Sequence, residues 1–229
     1  MSRILPTCLT AIAVISLAAC SPQTPAPPAI PEAATSEAPP ESAKVAPTIS
    51  CDSGSLLNAG SSKDALIEAH GAENVVEQKV PWVDSEINAV ILFPNDPTMR
   101  AEVLWFEDTT GAPDAARVSG GADSLWVGPA GLRLGASVAD VEVANGGPFA
   151  MTAFENHNHG EVSNFLGGKL DRGPDASCFV HLAMGAGANA PEGAVAALSG
   201  DSEKSFRSDS AEVLAVSPVV TEFTISFAK

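Results

Sequence analysis

The segment Val219-Val-Thr-Glu-Phe-Thr-Ile-Ser-Phe227 decides the fold class. Successive strand residues point to opposite faces, so Val219, Thr221, Phe223, Ile225 and Phe227 share one face, and Val220, Glu222, Thr224 and Ser226 share the other. A strand with one apolar face belongs to an antiparallel sheet packed on one side. Short helices covering that side complete an α+β domain. Upstream, Ala89-Val-Ile-Leu-Phe93 and Ala101-Glu-Val-Leu-Trp-Phe-Glu107 read as strands, with Pro94-Asn-Asp-Pro97 opening the turn between them. Phe149–Phe154, Glu161–Phe165 and Ser177–Leu182 read the same way.

Two helices precede these strands and look alike. Gly60-Ser-Ser-Lys-Asp-Ala-Leu-Ile-Glu-Ala-His-Gly71 aligns without gaps on Gly135-Ala-Ser-Val-Ala-Asp-Val-Glu-Val-Ala-Asn-Gly146. Ser62 and Ser137 stand where each helix begins, and Ser137 with Asp140 has capping-box spacing. Gly71 and Gly146 suit the left-handed residue that stops a helix. His70 ends the first helix, where a partial positive charge suits the dipole. Helix followed by strands, given twice, is read as a tandem duplication. Repeat 1 runs over about 60–110, repeat 2 over about 131–185, and a C-terminal strand over about 212–228.

Residues 1–19 combine Arg3 with the apolar run Leu9–Ala19, too short for the roughly 20 residues that span a bilayer. The run ends in Leu17-Ala-Ala-Cys20 and resembles a bacterial lipoprotein signal peptide with its lipobox. The resemblance implies a mature chain that starts at a lipidated Cys20, inserted in the bilayer through that anchor. With Ser21 following, it implies an outer-membrane location facing the periplasm. Residues 20–50 then hold eight prolines between Ser21 and Ser50 and no aromatic residue, the composition of a disordered, extended tether. The folded domain is placed at 51–229.

Cys8 leaves with the signal and Cys20 takes lipid, so Cys51 and Cys178 remain to pair as a disulfide in an oxidising compartment. No C-x-x-C spacing suggests a redox role. The chain carries a net charge of −16. Glu32, Glu37 and Glu41, with Arg3 and Lys44, precede Cys51, leaving 25 acidic and 10 basic residues in the domain. Phosphate backbones select positive surfaces, so nucleic acid is excluded as a partner. The charge is scattered, and its commonest meaning is a soluble, non-sticking surface; a basic protein partner or a cationic ligand is the sharper, alternative reading.

Nucleophile elbows, zinc-protease helices and nucleotide loops are missing from the sequence, so neither a catalytic centre, a nucleotide nor a cofactor is expected. One constellation has metal-ligand chemistry: Glu155-Asn-His157-Asn-His159-Gly-Glu161. On an extended chain the two imidazoles and two carboxylates share a side, a donor set suited to Zn, Cu or Ni. The competing reading is a polar hairpin turn with solvated histidines. His181, in a mostly apolar strand, reads as a satisfied sheet histidine.

The doubled helix–strand pattern resembles the tandem unit of β-lactamase-inhibitor-like proteins and the single unit of SmpA/OmlA-type outer-membrane assembly lipoproteins. Leu66–Val76, Val90–Pro97 and Gly131–Phe149 more closely resemble a family of uncharacterised bacterial lipoproteins. That likeness implies a fold and no activity. The chain departs from it after Phe149, where Ala153–Gly160 stands in place of an aromatic Gly-Phe-Gly-Trp-Asp-like stretch. The functional expectation is a membrane-anchored, non-enzymatic protein-binding module of the envelope. The alternatives are a periplasmic inhibitor of a basic hydrolase and a metal-binding protein acting through His157 and His159.

Overall fold

Nine strands form one antiparallel sheet in a computed structural model of the chain, which describes residues 46–51, 54–82, 84–107, 111–154, 159–172, 178–200 and 203–227. They are β1 (Val75–Trp82), β2 (Ser85–Leu92), β3 (Ala101–Trp105), β4 (Ala115–Ser119), β5 (Ala150–Thr152), β6 (His159–Asn164), β7 (Cys178–Gly185), β8 (Ser205–Arg207) and β9 (Val219–Phe227). Their spatial order is β1-β2-β3-β4-β9-β7-β6-β5-β8. The helices are α1 (Lys63–His70), α2 (Val138–Asn145), α3 (Glu192–Leu198) and α4 (Ala211–Val216). The α+β class follows as expected.

The register shows how alternation builds the core. Val90, Val103, Ala116, Ile225 and Val180 are successive cross-strand partners and form one buried row over five strands. Val118, Phe223 and Leu182 make the next row. Leu66 of α1, Val138 and Val141 of α2, Leu198 of α3 and Val213 of α4 pack into the same core. The strand quoted first departs from strict alternation at one point. Ala183 faces Glu222 but Met184 faces Val220, so Thr221 is an extra residue. This bulge flips the face N-terminal to it. Val220 therefore goes inside and is 1% exposed, while Val219 and Thr221, expected inside, are only half-buried.

The opposite face is not left entirely to water. Val80, Ala89, Ile91, Leu104 and Ala115 form a second, smaller buried cluster with Trp82 and Ile87 against it. Arg117 of β4 lies 5.5 Å from the Trp82 ring of β1, and its Nη2 donates to the Pro81 carbonyl at 3.4 Å. Two strands separate β1 from β4, about 14 Å in a flat sheet. The end of the β1–β2 hairpin must therefore curl back over the face. Trp82 and Phe106 meet there with centroids 5.2 Å apart. Arg117 also pairs with Glu102, its cross-strand neighbour.

Both helices of the expected repeat are capped as read. Ser62 accepts from the Ala65 N–H, and Ser137 with Asp140 closes a full capping box. The Ser137 hydrogen bonds pull the Asp140 pKa below its ordinary value. Gly146 ends α2 in the left-handed conformation at φ 83°. Two expectations are corrected. Residues 212–218 are not strand: Ser210 caps a helical turn that buries Val213 and Val216, and the strand starts at Val219 after Pro218. The packed chain also begins before Cys51, because Ile49 is fully buried and bridges Leu57, parallel to Thr48 on Val127.

His70 is the third correction. It does end α1, but burial pulls its pKa below the ordinary imidazole value instead of the dipole raising it. As pH falls below about 6.5 the unfolded chain takes up this proton first, so stability falls with it. The drop in urea midpoint between pH 8 and pH 5 should be smaller in a His70→Gln variant than in wild type. Equal drops in both would show that His70 contributes nothing to the slope.

Candidate functional site

β6 and β7 begin as neighbours and then part. His159 faces Gly185, Gly160 faces Met184 and Glu161 faces Ala183, and among the described residues the pairing ends there. β6 keeps its other partner: Val162 faces Met151 and Asn164 faces Ala150 on β5. β7 keeps β9 along its whole length, from Cys178 opposite Phe227 to Gly185 opposite Val219. A cleft of about 400 Å³ opens where the two strands diverge. Val162 to Phe165 line one side, Phe179 to His181 the other, and Leu170 to Arg172 close one end.

A buried side chain outside the cleft holds its far wall in place. Asn145, the last residue of α2, is 1% exposed. Its Nδ2 spends two hydrogens on three carbonyls, those of Phe165 (2.9 Å), Gly147 (3.1 Å) and Pro148 (3.3 Å), so one hydrogen is shared. Its Oδ1 accepts from the Leu170 N–H at 3.2 Å, and its carbonyl from the Lys169 N–H at 2.6 Å. The loop 165–170 is thereby clamped to the helix end. Gly168 packs so closely on this amide that a Cβ there would collide with it. Gly160 approaches the Thr152 carbonyl just as closely, which lets β6 start tight against β5 before it leaves β7.

Cys178, the first residue of β7, stands at disulfide distance from Cys51, with Cα atoms 5.8 Å apart. The pair adjoins a hollow that shares Leu170, Arg172 and Val180 with the cleft and adds Lys169. It fixes the strand end that β6 does not reach. Such a site offers backbone groups along a strand paired on one side, an exposed imidazole at His181, and apolar contact with Phe179 and Val162. These are the means by which an extended peptide is recognised. His181 is exposed on the cleft, not satisfied within the sheet as expected.

The residues put forward from sequence are placed as follows. Cys20, Glu155 and His157 lie outside the described residues. His159 opens β6, and Glu161 is exposed two residues on, its N–H donating to Thr152 Oγ1 at 2.9 Å. Among the described residues no three His, Cys, Asp or Glu side chains stand close enough to hold a metal ion. The cleft itself was not foreseen. Its only trace in the sequence is that 159–164 and 178–185 both have strand character, and nothing in either run shows where their pairing stops. No family model, curated protein or solved structure matches the chain.

Proposed function

We propose that this chain is a lipid-anchored envelope lipoprotein whose folded domain is a non-enzymatic protein-binding module, taking an extended segment of its partner along β7. The observation that carries the reading is the stretch of β7 from Cys178 to Leu182, held by β9 on one side and bordered by the cleft on the other. The lipobox ending in Cys20 and the proline-rich tether support the anchoring. The proximity of Cys51 and Cys178 agrees with an oxidising compartment. A tether raises the local concentration of the domain at the membrane. The acidic surface favours a basic partner, whose on-rate falls as salt rises.

The sheet order supports the duplication. One helix leads into β1 to β4 and the other into β5 to β7, and the two meanders flank the central strand β9. On this reading α3, β8 and α4 are an insertion between β7 and β9.

Two measurements test the function. Cys20→Ala should move the protein from the membrane fraction to the soluble periplasmic fraction. Retention at wild-type abundance would end the anchoring claim. A partner that co-purifies with the solubilised wild-type lipoprotein should be lost from a Phe179→Asp/His181→Asp variant and kept by Lys204→Gln. Equal recovery by all three would place recognition away from the cleft.

A further inference from the structure

A second cleft, of about 610 Å³, lies beside the first described residues, Ala46 to Thr48. That size falls within the roughly 300–1,000 Å³ of small-molecule sites. Its apolar wall is Pro47, Leu56, Phe93, Met99 and Leu125, and its polar groups include His70 and Arg133. It shares no lining residue with the β6–β7 cleft.

The wall is built by bonds across the chain. The Pro47 carbonyl accepts from the Val127 N–H at 2.9 Å, and the Thr98 carbonyl from the Leu125 N–H at 2.8 Å. Trp126 Nε1 donates to the Met99 carbonyl at 2.7 Å. Thr98 folds onto Asp96 Oδ1 through both its N–H and its hydroxyl. Phe93 adopts φ 50°, a left-handed conformation that is unfavourable for a bulky residue. Its N–H donates to the Asn74 carbonyl and its carbonyl accepts from the Asp96 N–H, which hold it there. Its ring meets His70 edge-on, with centroids 5.3 Å apart.

Three features of this cleft are unspent. His70 Nε2 is buried and has no hydrogen-bond partner among the described residues. Leu125 leaves 45% of its surface in water at the rim. Among the described residues Arg133 donates only to the Leu125 carbonyl, at 3.2 Å, and no described carboxylate lies within ion-pair distance of it. Acidic residues outnumber basic ones in this domain by 25 to 10, yet among the described residues the guanidinium beside an apolar cleft forms no ion pair. One guanidinium matches one carboxylate in charge and in its two-pronged geometry.

From these features we infer that the cleft binds an amphiphilic monocarboxylate of the fatty-acid class. The hydrocarbon chain lies against Leu56, Phe93, Met99 and Leu125, and the carboxylate meets Arg133.

The test is calorimetric titration of the full chain carrying Cys20→Ala, so that no acyl group of its own competes. The probes are sodium decanoate below its micelle concentration, decan-1-ol and sodium acetate. Decanoate should bind about tenfold tighter than decan-1-ol, the weight of one charge-assisted contact, and acetate should not bind measurably. Arg133→Gln, on an exposed side chain, should bring decanoate down to the alcohol's affinity, and Arg133→Lys should restore part of the difference. Leu125→Asp should abolish binding of both. Decanoate binding no tighter than decan-1-ol, no binding at all, or an Arg133→Gln variant indistinguishable from wild type would each overturn the inference.

Discussion

Reduction of the Cys51–Cys178 pair should lower the unfolding temperature by roughly 8–20 °C without abolishing the fold. The bond would close a loop across 127 residues of sequence. On the chain-entropy model, opening it returns about 4–5 kcal/mol of freedom to the unfolded chain. For a domain of this size each kcal/mol moves the midpoint by about 2–4 °C. The core of the domain contains Trp105, Trp126, Phe149 and Phe223, all essentially buried, and does not depend on the link. Calorimetry of wild type with and without reductant, beside a Cys51→Ser/Cys178→Ser variant, measures the effect. The loss should also be uneven. Amide exchange at 178–182 should accelerate first, because β6 does not pair there and the strand end loses its anchor. Identical melting in all three samples, or both thiols recovered free from non-reduced protein, would remove the disulfide from the account.

Asn145→Leu should cost about 3–5 kcal/mol, more than most single substitutions. The side chain is buried and serves three carbonyls and one N–H. Each buried polar group left without a partner costs about 1–3 kcal/mol, and some of these will find water. Val143→Asn on the same helix makes the comparison, because Val143 is 79% exposed and its replacement should stay within about 0.5 kcal/mol. Denaturant unfolding of the two variants separates them. If Asn145→Leu is no worse than Val143→Asn, the clamp on 165–170 is unimportant and the cleft wall needs another support. If the clamp matters, Asn145→Leu should also weaken partner capture at the β6–β7 cleft under conditions where the domain stays folded.

The strands that could be read from sequence are those whose two sides meet different surroundings. β9 alternates because one side meets the core and the other carries Glu222 and Ser226. β3 is legible for a different reason: four of its five residues are apolar and all five are buried, Glu102 being paired with Arg117, as in a strand covered on both faces. β1 was not legible. It is an edge strand with Glu77, Gln78 and Lys79 in water and Pro81 near its end, and only Val75 and Val80 are buried. α4 reads as strand in the sequence because Ala-Glu-Val-Leu-Ala-Val suits either period over so short a run, and the Ser210 cap decides it.

Determined by the sequence alone were the alternation that makes an antiparallel sheet, the serine caps and glycine stops of α1 and α2, and, on the proposed lipidation of Cys20, the two cysteines left to pair. These are local facts: dihedral preference, side-chain period and residue count act over a few positions and need no knowledge of the rest. Tertiary structure alone decided the bulge at Thr221, the curl that brings Trp82 over Arg117, the parting of β6 from β7, and the burial of His70 Nε2 without a hydrogen-bond partner among the described residues. Each depends on which segments distant in sequence are brought together. Asn145 shows why: its partners lie 20 and 25 residues away at Phe165 and Leu170, and nothing in Val-Ala-Asn-Gly states that a loop will arrive there.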